Sequence, residues 1–549
     1  MRGRGRGMRR QDVPHVHART HGWEDDDEHV VRDVDFQPAR EVGVHLPDGF
    51  LPTCPIDFFK LFFPLAVIQN IVAFTNTYAA QRISNYFDYG DRHGAWQETN
   101  ADEMYAFIAL LIYMGLVRGP TIAHYWSTSA LWHGLWARRM IPSRRRFEAL
   151  LAFLKITDGD HEDPDDKLKK IRYLYEHIRE ACKSYYQPDQ NLSVDERMVK
   201  CKGRFGFKQY IKNKPVRWGF KIFALCCSKT GYLWNFKVYT GRDQANQPQL
   251  GLTKTVVTDL CEPFFHQGYR VYFDQFYTSP VLATTLLSSD IHSVGTCQIN
   301  RSGVPGSLKN VKRWDKQANR GDIRYVRDND LLFTQWKDKR TVTILSTLHK
   351  GNDRVTTQRR TKQNGQYVVV QVPKPLAVED YNHHMGGVDV FDQLVATYRI
   401  LRKTRKWWKT LFFDLVDVAV VNSFLLYRSW GAQYAEFLQI PSNLSHLEFR
   451  ECLIRDLVGI DEQEDVPVAA VGRRKRRHDD IEDGHPPEVA PSSQRRNCVV
   501  CYRMHHVERK TRFFCGSCKI DKRKAFLCLH GKRKCWSVYH SHAFDAHRE

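Results

Sequence analysis

No stretch of this sequence is both long and apolar enough to be expected to cross a bilayer. Phe107–Val117 is too short, and Leu411–Tyr427 carries Asp414 and Asp417. The basic opening MRGRGRGMRR has no apolar run behind it, which argues against a secretory leader and for an intracellular protein. Paired cysteine spacing is missing from most of the chain. Eight of the fourteen cysteines are scattered between Cys54 and Cys452, so they read as small core residues of a reducing compartment. Apolar anchors are scarce in residues 1–48, which combine an Arg/Gly repeat with an acidic run at Glu24–Glu28 and read as a disordered arm.

Against these absences stands a large positive charge. Over 549 residues, 83 Lys and Arg face 62 Asp and Glu, for a net +21. Such a chain gains free energy near a polyanion by releasing condensed counterions, which favours nucleic acid over a merely basic, inert surface. Hydrophobic residues make up 42% of the chain, enough for real cores, and the length favours two to four domains.

After the arm, residues 49–188 show helical spacing: Phe58, Phe59, Phe62, Val67, Ile71 and Phe74 form one broad stripe. Near Asn191 the period changes to two. NLSVDERMV, RWGFKIFALCC and GYLWNFKVYTG read as three strands, followed by a helix-like stretch (Gln249–Phe265) and a fourth strand, RVYFDQFYT. PVLATTLLSSD reads as a helix and HSVGTCQI as a fifth strand. This order describes an α/β fold with a mixed sheet of the ribonuclease-H-like kind over residues 189–300. Residues 301–378 look like a mainly-β insertion, and helical pattern resumes over 379–460 as the second part of the same domain. Residues 461–496 form a linker and 497–549 a cysteine-rich module.

Asp195 lies inside the first apolar strand and Asp274 at the end of the fourth. A carboxylate in such surroundings loses hydration and needs a metal ion or hydrogen bonds in compensation. Asp389 opens a later helical pattern, with Asp392 three residues on and on the same face. Each alone also reads as a cap or turn residue. Together, on strand, strand and helix, they resemble the carboxylate cage with which hard Mg²⁺ ions move phosphodiester bonds.

The segment LSVDERMVKCKGRFGFKQYIKNKPVRWGFKIFALCC resembles the first-aspartate block of the piggyBac transposases. RVYFDQFYTSPVLA is similar to their second block and MGGVDVFDQLVATYRILRKTRKWWKTLFFDLVDVAVVNSFLLY to their third. The resemblance spans roughly residues 50–430, in order, plus the tail. It implies a DDD-type transposase that excises and inserts double-stranded DNA at TTAA sites, using two Mg²⁺ ions. Asp195, Asp274 and Asp389 would then be the catalytic, metal-holding aspartates, and Asp392 a fourth catalytic acid. Gln275 departs from relatives that carry Asn there. The resemblance also implies DNA binding and dimerisation by the helices of 49–188, and a homodimer holding two DNA ends. Its alternative is a domesticated relative that binds DNA or chromatin without transposition.

Basic residues interleaved with aromatics follow two of the aspartates: Arg204, Lys208, Lys212, Lys214, Arg217 and Lys221, then Arg402–Lys409. Cations there would neutralise phosphates and aromatics would stack on unpaired bases, the alternative being a solvated basic face over a core. In the tail, Cys498, Cys501, Cys515, Cys518, Cys528, Cys535 and His540 have zinc-ligand spacing. Two Zn²⁺ ions need an eighth ligand, for which His505, His506, His530 and His542 are all candidates. The surrounding Lys and Arg favour DNA over a RING- or PHD-like protein-binding role. In the linker, Arg473–Arg477 (RRKRR) reads as a nuclear localisation signal, or else as a solvated charge run.

Overall fold

The computed structural model describes residues 20–23, 30–85, 96–129, 131–132, 134–158, 163–212, 214–241, 251–363, 366–400, 404, 406–435, 441–460, 487–520, 523–528 and 535–540. The RRKRR segment lies outside them. The chain forms two units, residues 1–462 and 463–549.

In the first unit, β1 (Thr20–Trp23) and β2 (Gly43–Val44) precede α1 (Pro55–Phe62), α2 (Leu65–Asn85), α3 (Ala101–Leu116), α4 (Leu135–Met140), α5 (Arg144–Phe153) and α6 (Arg172–Ser184). Local chemistry sets these boundaries. Asn100 caps α3 by accepting from Glu103 N, and Ser143 caps α5 by accepting from Arg146 N. Arg146 also pairs with Glu103 and so ties the two helix starts together.

Next come β3 (Tyr186–Gln187), β4 (Asn191–Lys200), β5 (Gln209–Tyr210), β6 (Trp218–Cys227) and β7 (Leu233–Val238), then α7 (Leu252–Cys261), β8 (Arg270–Phe273), α8 (Pro280–Ser288) and β9 (His292–Thr296). The order of strands and helices is the one expected from the alternating apolar pattern. β4 pairs antiparallel with β6 and parallel with β8, and β8 pairs parallel with β9. β7 and β5 both join the far edge of β6. Spatially the strands run β7, β6, β4, β8, β9.

The segment read as an insertion supplies α9 (Val311–Gln317), β10 (Ile323–Asp328), β11 (Leu331–Lys337), β12 (Thr341–Ser346), β13 (Arg354–Gln363) and β14 (Gln366–Pro375). It does not form a separate body. β12 pairs with β9, and β11, β10 and β1 follow, so one mixed sheet of ten strands results. The β13–β14 hairpin packs on this extension through Val370 and Val372 against Trp336 and Ile344.

The chain returns through α10 (Leu376–His384), α11 (Gly387–Thr397), α12 (Trp407–Gly431) and α13 (His446–Val458). α12 is long and apolar enough to cross a membrane, yet it is the buried core helix of this unit. Its two aspartates are compensated from within. Asp414 accepts from Arg197 and Arg399, and Asp417 accepts from the Ile400 amide. One continuous core runs from Phe58 through the sheet to Leu457, so the early helices share it with the late ones. Residues 30–48, read from composition as the end of a disordered arm, are fastened down by backbone and guanidinium bonds. Gln37 N donates to Gln267 O, Arg40 reaches the carbonyls of Lys183 and Ser184, and β2 pairs with β3. Phe36, Val44 and Leu46 also pack on the core, single contacts that composition does not weigh.

The second unit contains β15 (Pro487–Val489), β16 (Arg496–Asn497), α14 (Val499–His505), β17 (Lys510–Thr511), β18 (Phe513–Ile520), β19 (Arg523–Phe526) and α15 (Cys535–His540). Its small core consists largely of cysteines, with Val500, Ala525, Leu527 and Tyr539 around them.

Candidate active site and cysteine cluster

Strand register brings the first two aspartates together. Val194 of β4 lies opposite Phe273 of β8, and Phe273 opposite Gly295 of β9. Asp195, Asp274 and Thr296 are the next residues of these three chain segments, so they form a row at one level. Neighbouring strands are about 4.8 Å apart, which puts each within reach of the next. Gly295 is required in this row, because a Cβ there would collide with the Phe273 carbonyl and the Thr278 hydroxyl.

Helix α11 lies over β4. Gly387 is its point of closest approach, since a Cβ would run into Ser193 Oγ. Ser193, Asp195 and Arg197 alternate onto one face of β4, and Arg197 meets Asp392 of α11. Asp389 stands between these two contacts, in the first turn of α11, where the helix dipole also favours a carboxylate. Tyr381 of α10 links the group. It lies close to Thr296 and in the field of Asp274, Asp195 and Asp389. Burial first, and then these three carboxylates, push it up to about 12.

The carboxylates here are short of positive charge. Burial pushes Asp195 up to about 7; Lys214, at 3.7 Å, opposes this, and the nearby Glu196 and Asp274 add to it. Asp274 is also raised, chiefly by burial, although it accepts from the Phe276 amide. Glu196, on the other face of β4, accepts from the Tyr277 hydroxyl at 3.0 Å. Partly dehydrated carboxylates that raise one another are the donor set a hard divalent cation stabilises.

Asp392 differs from the other three. It accepts from Arg197 Nε at 2.6 Å, and that guanidinium is shared with buried Asp414. A structural partner therefore already engages the residue read as a fourth catalytic acid.

Sequence reasoning missed Tyr381 and Thr296. Neither has a distinguishing local pattern, and only the β8–β9 register and the docking of α10 make them neighbours of the aspartates. It also missed the anchor of α10, Asp380. This carboxylate accepts from Tyr272 Oη at 2.7 Å and lies 3.3 Å from both His349 Nε2 and His384 Nε2. Although half-buried, which alone would raise it, it is held well below the usual carboxylate range by those bonds.

Of the basic and aromatic residues, Lys214 faces Asp195, and Lys221 is buried between the rings of Phe223 and Phe276. Tyr210 and Trp218 form an exposed ring pair with centroids 4.6 Å apart. Trp408 and Lys409 are buried, whereas Trp407 packs on Phe205, Phe207 and Phe220. Residues 401–403 and 405 lie outside the described part of the chain.

In the second unit the ligand atoms of Cys498, Cys501, Cys528 and Cys535 all lie within 4.8 Å of one another, and all four residues are buried. Zn–S bonds of about 2.3 Å in a tetrahedron separate sulfurs by about 3.8 Å, so the group fits one zinc ion. The Cys501 and Cys535 sulfurs are 3.5 Å apart, and the Cys528 amide donates to Cys498 Sγ. Burial, then the neighbouring thiols, pushes Cys528 up to about 12. A bound cation would reverse that cost. The first CxxC thus joins Cys528 and Cys535 rather than the second CxxC. Cys515 is buried outside this group, His540 lies on α15, and the Cys518 side chain is outside the described residues.

Comparison with known proteins agrees with this architecture. A family model described as Transposase IS4, of the DDE type, matches residues 54–424. PiggyBac transposable element-derived protein 3 of Homo sapiens is 25% identical over 496 residues, covering 89% of this chain and 78% of its own. PiggyBac transposable element-derived protein 2 of Homo sapiens is 28% identical over 386 residues, 68% of this chain and 61% of its own. The structure is similar to the piggyBac transposase of a cryo-EM synaptic complex with hairpin DNA, with TM-score 0.63 and 25% identity. That match covers 89% of this chain and 98% of the other. With the matched family segment spanning the sheet, the aspartate row and helix α11, the chain belongs to the IS4-type DDE transposase family and is piggyBac-like.

Proposed function

We propose that this protein is a metal-dependent DNA transposase of the piggyBac kind, with a ribonuclease-H-like centre that hydrolyses and transfers DNA phosphodiesters. The observation that carries the reading is the placement of Asp195 and Asp274 at one level of neighbouring strands, beneath the helix that bears Asp389. These three would hold two Mg²⁺ ions, which supply activation of the attacking oxygen and stabilisation of the leaving one. Asp195 and Asp274 contribute the dehydrated oxygens, and α11 delivers Asp389 over β4. Tyr381, beside the three aspartates, offers its hydroxyl toward the reacting phosphate. Asp392 acts on this centre indirectly, by fixing α11 to Arg197.

Double-stranded DNA is the proposed substrate, with TTAA as target, on the strength of the +21 charge and the piggyBac likeness. A homodimer would hold two DNA ends, and the tail, with one zinc ion in the four-cysteine cluster and a second near Cys515, Cys518 and His540, would bind end DNA. The nucleus is the proposed compartment, from RRKRR at Arg473–Arg477. A second reading, a domesticated DNA-binding protein without transposition, is favoured by the relatives described as transposable element-derived proteins.

Incubation of purified protein with Mg²⁺ and a TTAA-flanked transposon-end duplex separates the two. Cleavage that disappears in Asp274→Ala supports the transposase. Binding without cleavage by the intact protein supports the domesticated form.

A further inference from the structure

Beside the aspartate row, on the side of β9 and β12, a groove of about 670 Å³ opens next to Asp274. Such a size is usual for a small-molecule site. Gln275, the residue after Asp274, forms part of its wall, and Thr296 belongs both to this wall and to the row. The remaining lining comes from the chain leaving β9 (Gln298, Ile299, Asn300), from β12, and from Val311 at the start of α9.

Its chemistry is distinctive. No charged side chain lines it. Gln275, Gln298 and Asn300 are exposed, and among the described residues nothing engages their side-chain amides. The floor is stiff by contrast. Thr343 Oγ1 accepts from Gln335, and Thr341 Oγ1 donates to Asp315. Ile299, Val311 and Val342 add apolar surface. Beyond the lining, Lys309, Lys312 and Arg313 are exposed along the start of α9.

A neutral groove with free amides is a poor phosphate site and a good nucleobase site. An amide presents a donor and an acceptor side by side, as the edge of a base does, and Asn and Gln pair in this way with adenine. Apolar walls accept the base face, and cations outside the groove accept the phosphates on either side. We propose that this groove takes up a nucleobase of the DNA strand held at Asp274 and reads its edge through Gln298 and Asn300, with Gln275 at the junction. The proposal rests on phosphodiester chemistry at Asp274. It adds that base selection next to the reacting phosphate belongs to β9 and the residues following it, not to the basic clusters.

The test uses the full-length protein in buffer with Ca²⁺ in place of Mg²⁺, so that DNA is bound without being cut. The probe is a set of duplexes ending in a randomised four-nucleotide single-stranded overhang, and the bound fraction is sequenced. The intact protein should enrich one base at one overhang position about tenfold, the discrimination one two-bond contact supplies. The double variant Gln298→Ala/Asn300→Ala should enrich it less than about twofold, with an unchanged melting temperature because both side chains are exposed. In Mg²⁺, Asp274→Ala should lose cleavage. An intact protein without base preference, or a double variant that keeps it, would overturn the proposal. Enrichment by a protein that never cuts DNA would leave the groove standing and remove only the transposase reading.

Discussion

Arg197 Nε donates to Asp392 Oδ1 at 2.6 Å, joining strand β4 to helix α11 through a guanidinium that is almost completely buried. The same guanidinium reaches Asp414 of α12, so one cation holds three elements around the candidate site. Removing a buried cation leaves Asp414 with Arg399 alone. Arg197→Met should therefore destabilise the first unit by about 3–5 kcal/mol. Asp392→Asn, at the more exposed end, should cost about 1 kcal/mol. Urea denaturation measures both, and equal small losses would contradict the bridging role.

Tyr381 should matter to chemistry more than to folding. Tyr381→Phe keeps the ring and loses only the hydroxyl that lies in the field of the three aspartates. We expect DNA cleavage to fall by about 10–100-fold with little change in DNA affinity, against near-complete loss in Asp274→Ala. A variant that cuts at the normal rate would remove Tyr381 from the site.

The four-cysteine cluster ties the folding of the tail to metal. The second unit has few apolar core residues, so zinc binding should supply much of its folding free energy. Metal analysis should find at least one zinc ion per chain, lost on Cys498→Ala or on strong chelation. That loss should expose residues 487–540 to protease while the first unit keeps its melting transition. An undiminished zinc content in Cys498→Ala would refute this ligand set.

His446 predicts an acid sensitivity of the first unit. Its ring stacks on Phe424 and accepts from Arg450 Nε at 2.9 Å. Burial first, and then Arg450, lowers it to about 3 from the ordinary 6.5. The folded value lies below the unfolded one, so unfolding takes up a proton. The stability from neutral His446 is complete above pH about 6.5 and is lost as pH falls toward about 3. His446→Gln keeps an acceptor for Arg450 and cannot be protonated. It should recover about 2–4 kcal/mol of the stability lost between pH 7 and 4. Parallel pH profiles for the two proteins would exclude His446 as the cause.

Local pattern was enough for the elements that depend on neighbours in the chain. Alternation in NLSVDERMV and RWGFKIFALCC predicted β4 and β6, the apolar periodicity from Phe58 to Phe74 predicted the helical character of α1 and α2, and cysteine spacing marked the tail as a metal module. The amino-acid order also singled out Asp195 and Asp274, as carboxylates in apolar strands, and Asp389, at the start of a helical pattern. Tertiary structure decided what spacing along the chain does not encode. The pairing of β9 with β12 turned the apparent insertion into an extension of the sheet and created the amide-lined groove. Helix α11 brought Asp392 to Arg197, and the tail's fold grouped Cys498 and Cys501 with Cys528 and Cys535. Strand register and helix docking depend on long-range packing, whereas propensity and periodicity are properties of neighbouring residues.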